Sequence, residues 1–135
     1  MSLSTYVTFA GTCEEAFKFY TQHLGGTTVM LMRYDSAPPG GPKQTEGWEK
    51  KIMHGSMTIG GTVLMGMDAS PAMYQKPQGF YVSLSVANVA EAEKAWAALS
   101  SGGEIRMPLS ETFFAKRFGM VADKFGVPWM VNCAP

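Results

Sequence analysis

The chain has 135 residues, a length typical of one domain that buries about two thirds of its unfolded surface. Its eleven basic and eleven acidic residues balance without any block of like charge, so neither a nucleic acid nor an anionic membrane is expected as a partner. No signal peptide or membrane-spanning apolar run is apparent, and the two cysteines suit a reducing compartment, which together predict a cytoplasmic protein. Whether Cys13 and Cys133 form a disulfide stays open.

The first two predicted elements are a strand and a helix. Thr5–Phe9 is a β-branched and aromatic run typical of a strand. Thr12 stands three residues before Glu15, the spacing of a helix capping box. Apolar residues then recur at spacings of three and four up to Gly25-Gly26, where we expect the helix to end. They are Cys13, Ala16, Phe17, Tyr20 and Leu24.

The rest of the first half contains three further strands. Thr27–Tyr34 follows the helix directly and is typical of a strand. The segment Asp35–Trp48 is rich in proline and glycine and is predicted to be a mobile loop. Lys51–Ile59 and Thr62–Met67 then predict two strands, joined by a tight hairpin turn at Gly60-Gly61.

After a linker at residues 69–79, the same order of signals appears again. Tyr81–Val86 predicts a strand, and Asn88 stands 76 positions after the first predicted cap. Glu91 completes the second capping box, and Gly102-Gly103 ends the second helix. The apolar face of that helix contains Val89, Ala92, Trp96 and Leu99.

The last strands complete the repeat. Glu104–Pro108 predicts one strand, and Phe113–Val121 and Val127–Asn132 predict a hairpin around Asp123–Gly126. Pro128 suits the first positions of a strand, where its missing N–H is tolerated. Gly126 is aligned on Gly60 to relate the two hairpins.

Each half therefore reads β-α-β-β-β, and the expected fold is α+β in a single domain of two modules, residues 1–68 and 80–135. A coincidence of common helix signals is the alternative to a duplication. Three consecutive strands argue against a doubly wound parallel sheet. Two mixed, largely antiparallel sheets that curve toward each other would enclose a cleft suited to a small molecule.

Several blocks resemble the PhnB-like family of the vicinal-oxygen-chelate superfamily, which includes glyoxalase I, extradiol dioxygenases and bleomycin-resistance proteins. The resemblance covers nearly the whole chain and is most distinctive toward its end. The matching blocks are Tyr6–Gly11, Phe19-Tyr20, Leu24–Gly26, His54, Ile59–Gly61, Met65 with Asp68, Glu111–Phe114, Phe118-Gly119 and Asp123–Trp129.

The resemblance implies a homodimer that binds an unknown small molecule. Members of the family often have a 3-demethylubiquinone methyltransferase label, but this chain has no glycine-rich nucleotide loop after a parallel strand. Metal-dependent superfamily members hold a divalent ion with four side chains from the first and last strands of each module. Carried over, these positions are Thr5, Leu64, Tyr81 and Met130, none of which is a usual ligand. We therefore expect no metal and no other cofactor.

Two residues are candidate catalytic groups. His54 is a candidate general base, or a structural histidine held by hydrogen bonds. Glu111 lies at a strand entry and is a candidate acid or base. An enzyme that uses both with a metal at non-standard positions, as a lyase, isomerase or dioxygenase, is the alternative to a metal-free binding protein.

The candidate ligand-binding residues are apolar, aromatic or charged side chains near the expected cleft. Aromatic residues of this kind more commonly pack in a core, and Asp68 also suits a turn. Because Lys116 and Arg117 alternate in a predicted strand, one of them is expected to face the cleft and meet an anionic group. The eleven methionines fill gaps in a core or form an adaptable binding surface. The candidate set is Met65, Asp68, Tyr81, Phe113, Arg117 and Trp129.

Overall fold

A computed structural model describes residues 1–40 and 45–135, so part of the predicted loop Asp35–Trp48 lies outside the described residues. The chain divides into two compact units, Met1–Gln75 and Lys76–Pro135, with the boundary inside the predicted linker. Each unit has its own four-stranded sheet. Within the described ranges, no helix is long and apolar enough to cross a membrane.

The first unit is a β-α-β-β-β module. Its elements are β1 (Thr5–Phe9), α1 (Cys13–Leu24), β2 (Thr27–Arg33), β3 (Ile52–Ile59) and β4 (Thr62–Asp68), with a 3-10 turn at Tyr34–Ser36. The strand order is β1-β4-β3-β2. Strand β1 runs parallel to β4, and the other neighbours are antiparallel. Gly60 and Gly61 have φ angles of 57° and 81°, which the tight turn between β3 and β4 requires at both positions.

The elements of the second unit are β5 (Val82–Val86), α2 (Val89–Ser100), β6 (Glu104–Ser110), β7 (Arg117–Ala122) and β8 (Pro128–Cys133). This unit has the same topology, with strand order β5-β8-β7-β6, which confirms the predicted repeat and the α+β class. The strand predicted from Phe113 is wrong in its first part, because the Thr112 N–H donates to the Ala115 carbonyl and closes a turn there.

In each unit the helix covers one face of the sheet and leaves the other face open. Four residues of the predicted α1 face are fully buried, and Ala92 and Leu99 of α2 are buried as well. Glycine lets the sheet approach each helix closely. A Cβ on Gly119 would lie 2.7 Å from the ring of Trp96, and one on Gly55 would lie 2.9 Å from the ring of Phe17.

Only one of the two predicted N-cap residues makes its side-chain hydrogen bond. Asn88 accepts a hydrogen bond from the Glu91 N–H at 2.8 Å, as predicted. Thr12 makes no side-chain cap, so that prediction is wrong. The Cys13 N–H at the start of α1 donates instead to the carboxylate of Asp68, 2.9 Å away. A tertiary contact thus replaces the local one.

The alignment of Gly126 on Gly60 is also wrong, because the turn after β3 has two residues and the loop after β7 has five, residues 123–127. The structural equivalents are Gly55 and Gly119, which both lie under a helix aromatic ring. When the two units are aligned on these glycines, the cross-strand pair Thr5 and Leu64 corresponds to the pair Val82 and Trp129. Met130 therefore pairs with Ser83, and not with Tyr81 as the sequence alignment implied. The cleft between the modules stays a prediction.

Candidate functional site

The open face of the first sheet has an unusual concentration of thioethers around two polar rings. Strand alternation and register bring side chains from all four strands to this face. Tyr6 lies opposite Met65, and His54 lies opposite Met32. The four methionines of this face are Met30, Met32, Met65 and Met67. Met57, by contrast, is fully buried on the helix side, so methionine here fills the core at one position and forms a surface at others.

Tyr6 and His54 form a hydrogen-bonded pair on this face. The phenol oxygen lies 3.1 Å from His54 Nδ1, and the ring centroids are 5.7 Å apart. Partial burial, followed by the proximity of Cys13 and Tyr34, raises the pKa of Tyr6. The phenol therefore keeps its proton near neutral pH. Which of the two rings donates in this hydrogen bond is set by the tautomer of the imidazole.

A cavity of about 210 Å³ adjoins this face, because Met67 belongs to both. The Tyr34 hydroxyl in its wall is fixed by donating to the Asp68 carbonyl at 2.7 Å. The Lys51 ammonium lies 5.9 Å from the centre of the Trp48 ring and donates to the Gly11 carbonyl. The lining residues are Tyr34, Thr45, Trp48, Met67, Ala69, Ser70 and Met73.

The side chain of Asp68 is buried inside the first unit. Its side chain is 1 % exposed, and its two oxygens accept from the Cys13 N–H at 2.9 Å and the Ile52 N–H at 2.8 Å. The carboxylate thus joins the end of β4 to the starts of α1 and β3. Of the predicted pair Met65 and Asp68, the structure places only Met65 beside Tyr6.

Trp129 and Arg117 of the second unit lie on the side of the sheet that α2 covers. Trp129 is 1 % exposed, and its Nε1 donates to Asp123 at 2.9 Å. Arg117 lies 3.6 Å from Glu93 of α2, so it is directed toward the helix. Lys116 is exposed before β7 begins.

Glu111 and Phe113 lie together in the irregular segment before β7, and both are exposed. Phe113 contacts Phe114 edge to face, with ring centroids 5.2 Å apart. Glu111 and Phe113 line a shallow surface cavity of about 250 Å³. Glu111 thus belongs to the second unit, whereas His54 belongs to the first.

The open face of the second sheet contains a basic residue that the sequence did not single out. Arg106 Nη1 lies 3.3 Å from the hydroxyl of Tyr81, which the sequence did predict as a ligand contact. The register of β6 shifts between Ile105 and Met107, so Arg106 occupies a β-bulge. A bulge has no sequence signature here. The alternation of β1, by contrast, does predict that Tyr6 lies on the other face of the sheet from the buried Val7 and Phe9.

The side chains at the superfamily metal positions do not fit a divalent ion. Four equivalent positions, two in each unit, lie on the helix-covered faces of the sheets. The four positions one residue later in each strand lie on the open faces. The first set is Thr5, Leu64, Val82 and Trp129, and the second is Tyr6, Met65, Ser83 and Met130. Neither contains a carboxylate or an imidazole, the donors such an ion requires. In residues 1–40 and 45–135, no three His, Cys, Asp or Glu side chains are grouped as a metal site.

The two cysteines are buried and free, so the disulfide that the sequence left open is not formed. Burial, with the nearby charges of Asp68 and Glu14, raises the pKa of Cys13 well above its usual range. A helix N-terminus ordinarily lowers the pKa of a thiol, and burial outweighs that effect here. Cys13 stays a thiol at neutral pH and is a poor nucleophile.

Known proteins resemble this chain over nearly its full length. Residues 2–131 match the Glyoxalase/Bleomycin resistance protein/Dioxygenase superfamily. Protein YjdN of Escherichia coli K12 is 34% identical, over 98% of this chain and 95% of its own length. The crystal structure of PA1353 from Pseudomonas aeruginosa is 42% identical with a TM-score of 0.89, over 99% of this chain and 98% of that one. The PhnB protein of Bacillus cereus is 28% identical with a TM-score of 0.80, over 99% and 100%.

Proposed function

The chain belongs to the glyoxalase/bleomycin resistance protein/dioxygenase superfamily, and from this membership we propose that it binds a small, largely apolar molecule on the open face of its first sheet. The PhnB-like resemblance inferred from the sequence is confirmed by the likeness to the Bacillus cereus protein. The observation that supports this site most strongly is the Tyr6–His54 hydrogen bond among four methionines.

The composition of this face favours a particular ligand. Thioether side chains are polarizable and adapt to irregular apolar shapes, so they suit a ring or a short hydrocarbon body. The Tyr6–His54 pair supplies one phenol and one imidazole, which match a single polar group on that body. A buried polar group costs free energy unless it is hydrogen-bonded, so the pair orients the ligand as well as binding it.

The proposal can be tested with 1-naphthol, a neutral aromatic probe with one hydroxyl group. In protein with ¹³C-labelled methionine methyls, we expect saturable shifts at Met32, Met65 and Met67 and none at the buried Met57. The variants Tyr6→Phe and His54→Leu should each weaken binding by roughly two- to ten-fold, the usual effect of one lost hydrogen bond.

The matched control is His23→Leu. His23 packs on Phe19 near the end of α1, with ring centroids 4.4 Å apart, and is not part of the open face. Its substitution should leave naphthol binding unchanged. Equal loss in His23→Leu and His54→Leu, or shifts that include Met57 equally, would contradict the proposed site.

Neither enzymatic alternative is favoured by a specific observation. The metal-dependent lyase, isomerase or dioxygenase would need a metal donor set that the superfamily positions lack. The Bacillus cereus relative has a 3-demethylubiquinone-9 3-methyltransferase designation. In this chain no glycine-rich loop of the kind that holds a nucleoside cofactor follows a parallel strand. We therefore propose a binding protein without a metal or another cofactor.

We further propose a homodimer in the cytoplasm. Each sheet has two edge strands, and proteins normally cover or pair such edges. Light scattering should give about twice the 14.6 kDa chain mass, and a purely monomeric sample at micromolar concentration would contradict the dimer.

Two buried free thiols are consistent with a reducing compartment such as the cytoplasm. Cell fractionation tests this localisation.

A further inference from the structure

We propose that Arg106 and Tyr81, on the open face of the second sheet, bind the carboxylate of a small organic acid with an aromatic or alkyl body. This site uses other residues than the Tyr6–His54 face and does not depend on it. The guanidinium of Arg106 is a permanent cation placed beside a phenol hydroxyl, 3.3 Å from it. Such a pair is complementary to a carboxylate, which accepts hydrogen bonds from both groups.

The backbone directs Arg106 to this position. Ile105 pairs with Val121 and Met107 pairs with Met120, so one extra residue stands between two consecutive partners. The first sheet has the corresponding register shift between Thr28 and Met30, where the extra residue is Val29. Bulges of this kind redirect a side chain relative to the regular alternation. The shared bulge therefore carries an apolar residue in one module and a cation in the other.

The hydrogen-bonding capacity of Arg106 is only partly used. Nη1 faces the Tyr81 hydroxyl, and Nε lies 3.7 Å from an oxygen of Glu104, whose side chain is 64% exposed. Nη2 has no hydrogen-bond partner within the described part of the chain. A guanidinium binds a carboxylate through two parallel N–H groups, so a ligand that takes Nη2 and displaces the loose contact with Glu104 gains a bidentate pair.

The surface beside the guanidinium is apolar. Met107, Met120 and Met130 follow one another across β6, β7 and β8 on the same face as Arg106 and Tyr81. A thioether row suits the hydrocarbon body of an acid and offers nothing to a compact, multiply charged ion. These features favour an amphiphilic carboxylate over inorganic phosphate.

The test uses 2-naphthoate as the probe, with 2-naphthamide as its neutral analogue and inorganic phosphate as the second anion. Binding is followed through the methionine methyls and the Arg106 side-chain resonance of the labelled full-length protein. We expect naphthoate to shift Met107, Met120, Met130 and Arg106 saturably. Naphthamide should bind at least ten-fold more weakly, and phosphate should neither bind comparably nor displace naphthoate.

The variants separate the contributions. Arg106→Gln should lower naphthoate affinity ten-fold or more, and Tyr81→Phe should lower it a few-fold. Glu104→Gln should raise affinity, because it removes the competing carboxylate. Arg33→Gln, in the other unit, should have no effect, since Arg33 is paired with Glu14.

Four results would overturn the proposal: no saturable shift up to roughly ten millimolar naphthoate, equal binding of naphthamide, equal binding of phosphate, or unchanged affinity in a folded Arg106→Gln variant. Failure here leaves the naphthol shifts on the first sheet unaffected, so the two sites are judged separately.

Discussion

The carboxylate of Asp68 joins three segments of the first unit at one buried point. It accepts one backbone N–H from the start of α1 and one from the start of β3, and both of its oxygens are used. The same strand end gives its own carbonyl to the hydroxyl of Tyr34. Removing this acceptor leaves buried N–H groups without a partner, which costs more than a hydrogen bond contributes.

We therefore predict that Asp68→Asn lowers the free energy of unfolding by about 2 kcal/mol, because its amide group opposes one of the two N–H donors. Urea unfolding followed by circular dichroism measures the change. The control is Asp35→Asn, which removes an exposed ion pair with Lys50 and should change stability little. Equal stability of Asp68→Asn and the wild type would show that the two bonds contribute nothing.

The ion pair between Glu14 and Arg33 leads to a second prediction about single residues. Arg33 Nη2 donates to Glu14 at 2.6 Å, and this hydrogen bond is the main reason why the pKa of Glu14 is lowered. A carboxyl with a lower pKa in the folded state stabilises the fold fully above its unfolded pKa of about 4.3. That contribution is lost as the pH falls through the folded pKa.

Wild type should therefore be more stable than Glu14→Gln at neutral pH, and the difference should shrink below a pH of about 4.3. Unfolding midpoints measured from pH 7 to pH 3 show the trend. High salt at pH 7 should reduce the same difference, because both side chains are 34% exposed. A difference that grows toward acid pH has the wrong sign for this pair.

Single residues also show which contacts could be predicted from the sequence and which could not. In the sequence Asp68 suits a ligand contact or a turn, and only its contact with Cys13, 55 positions away, shows its structural role. Trp129 is similar, because its partner Asp123 and the burial by α2 depend on the folded sheet. Asn88, whose cap bond is local, was predictable.

Among the elements, the fit between sheet and helix depends on glycine. Gly119 of β7 lies against the ring of Trp96, and an added Cβ would meet it at 2.7 Å and the Leu109 backbone at 3.0 Å. The Trp96 ring is bulky and the Leu109 atom belongs to the backbone of β6, so both yield less readily than the end of a flexible side chain. Gly26 differs, because an added Cβ there meets mainly the flexible end of Met57.

We predict that Gly119→Ala lowers the free energy of unfolding by about 1–3 kcal/mol, the usual cost of overpacking. Gly26→Ala should cost less, since the Met57 side chain can rotate away. Thermal unfolding of the two variants measures the order. If Gly26→Ala were the more damaging, the close approach of β7 to α2 would not limit stability.

The same elements divide what the sequence could predict from what it could not. Periodicity and Gly-Gly pairs located both helices and most strands, because those signals are local. The register between β5 and β8 was missed by two residues, since it depends on a five-residue loop that one aligned glycine could not reveal. The bulge that presents Arg106 was missed because it has no signature in the sequence.

Whether the whole molecule can hold a divalent ion depends on the side chains at the superfamily metal positions of its two units. Leu64 and Trp129 are 4% and 1% exposed and point toward their helices, so an ion there would have to displace the core. Their open-face neighbours provide phenol, hydroxyl and thioether groups. A structural or catalytic divalent site needs at least three imidazole, thiolate or carboxylate ligands about 2.0–2.3 Å from the ion.

We predict that protein expressed with added zinc, nickel or manganese and then dialysed retains far less than one equivalent of metal per chain by mass spectrometry. His54 alone gives weak, water-rich binding, so His54→Leu should remove whatever trace remains without changing stability in the presence of chelator. About one equivalent that survives dialysis, protects the chain against thermal unfolding and is lost on substitution of His54 or Tyr6 would contradict the prediction. That result would favour the metal-dependent enzyme over the metal-free binding protein.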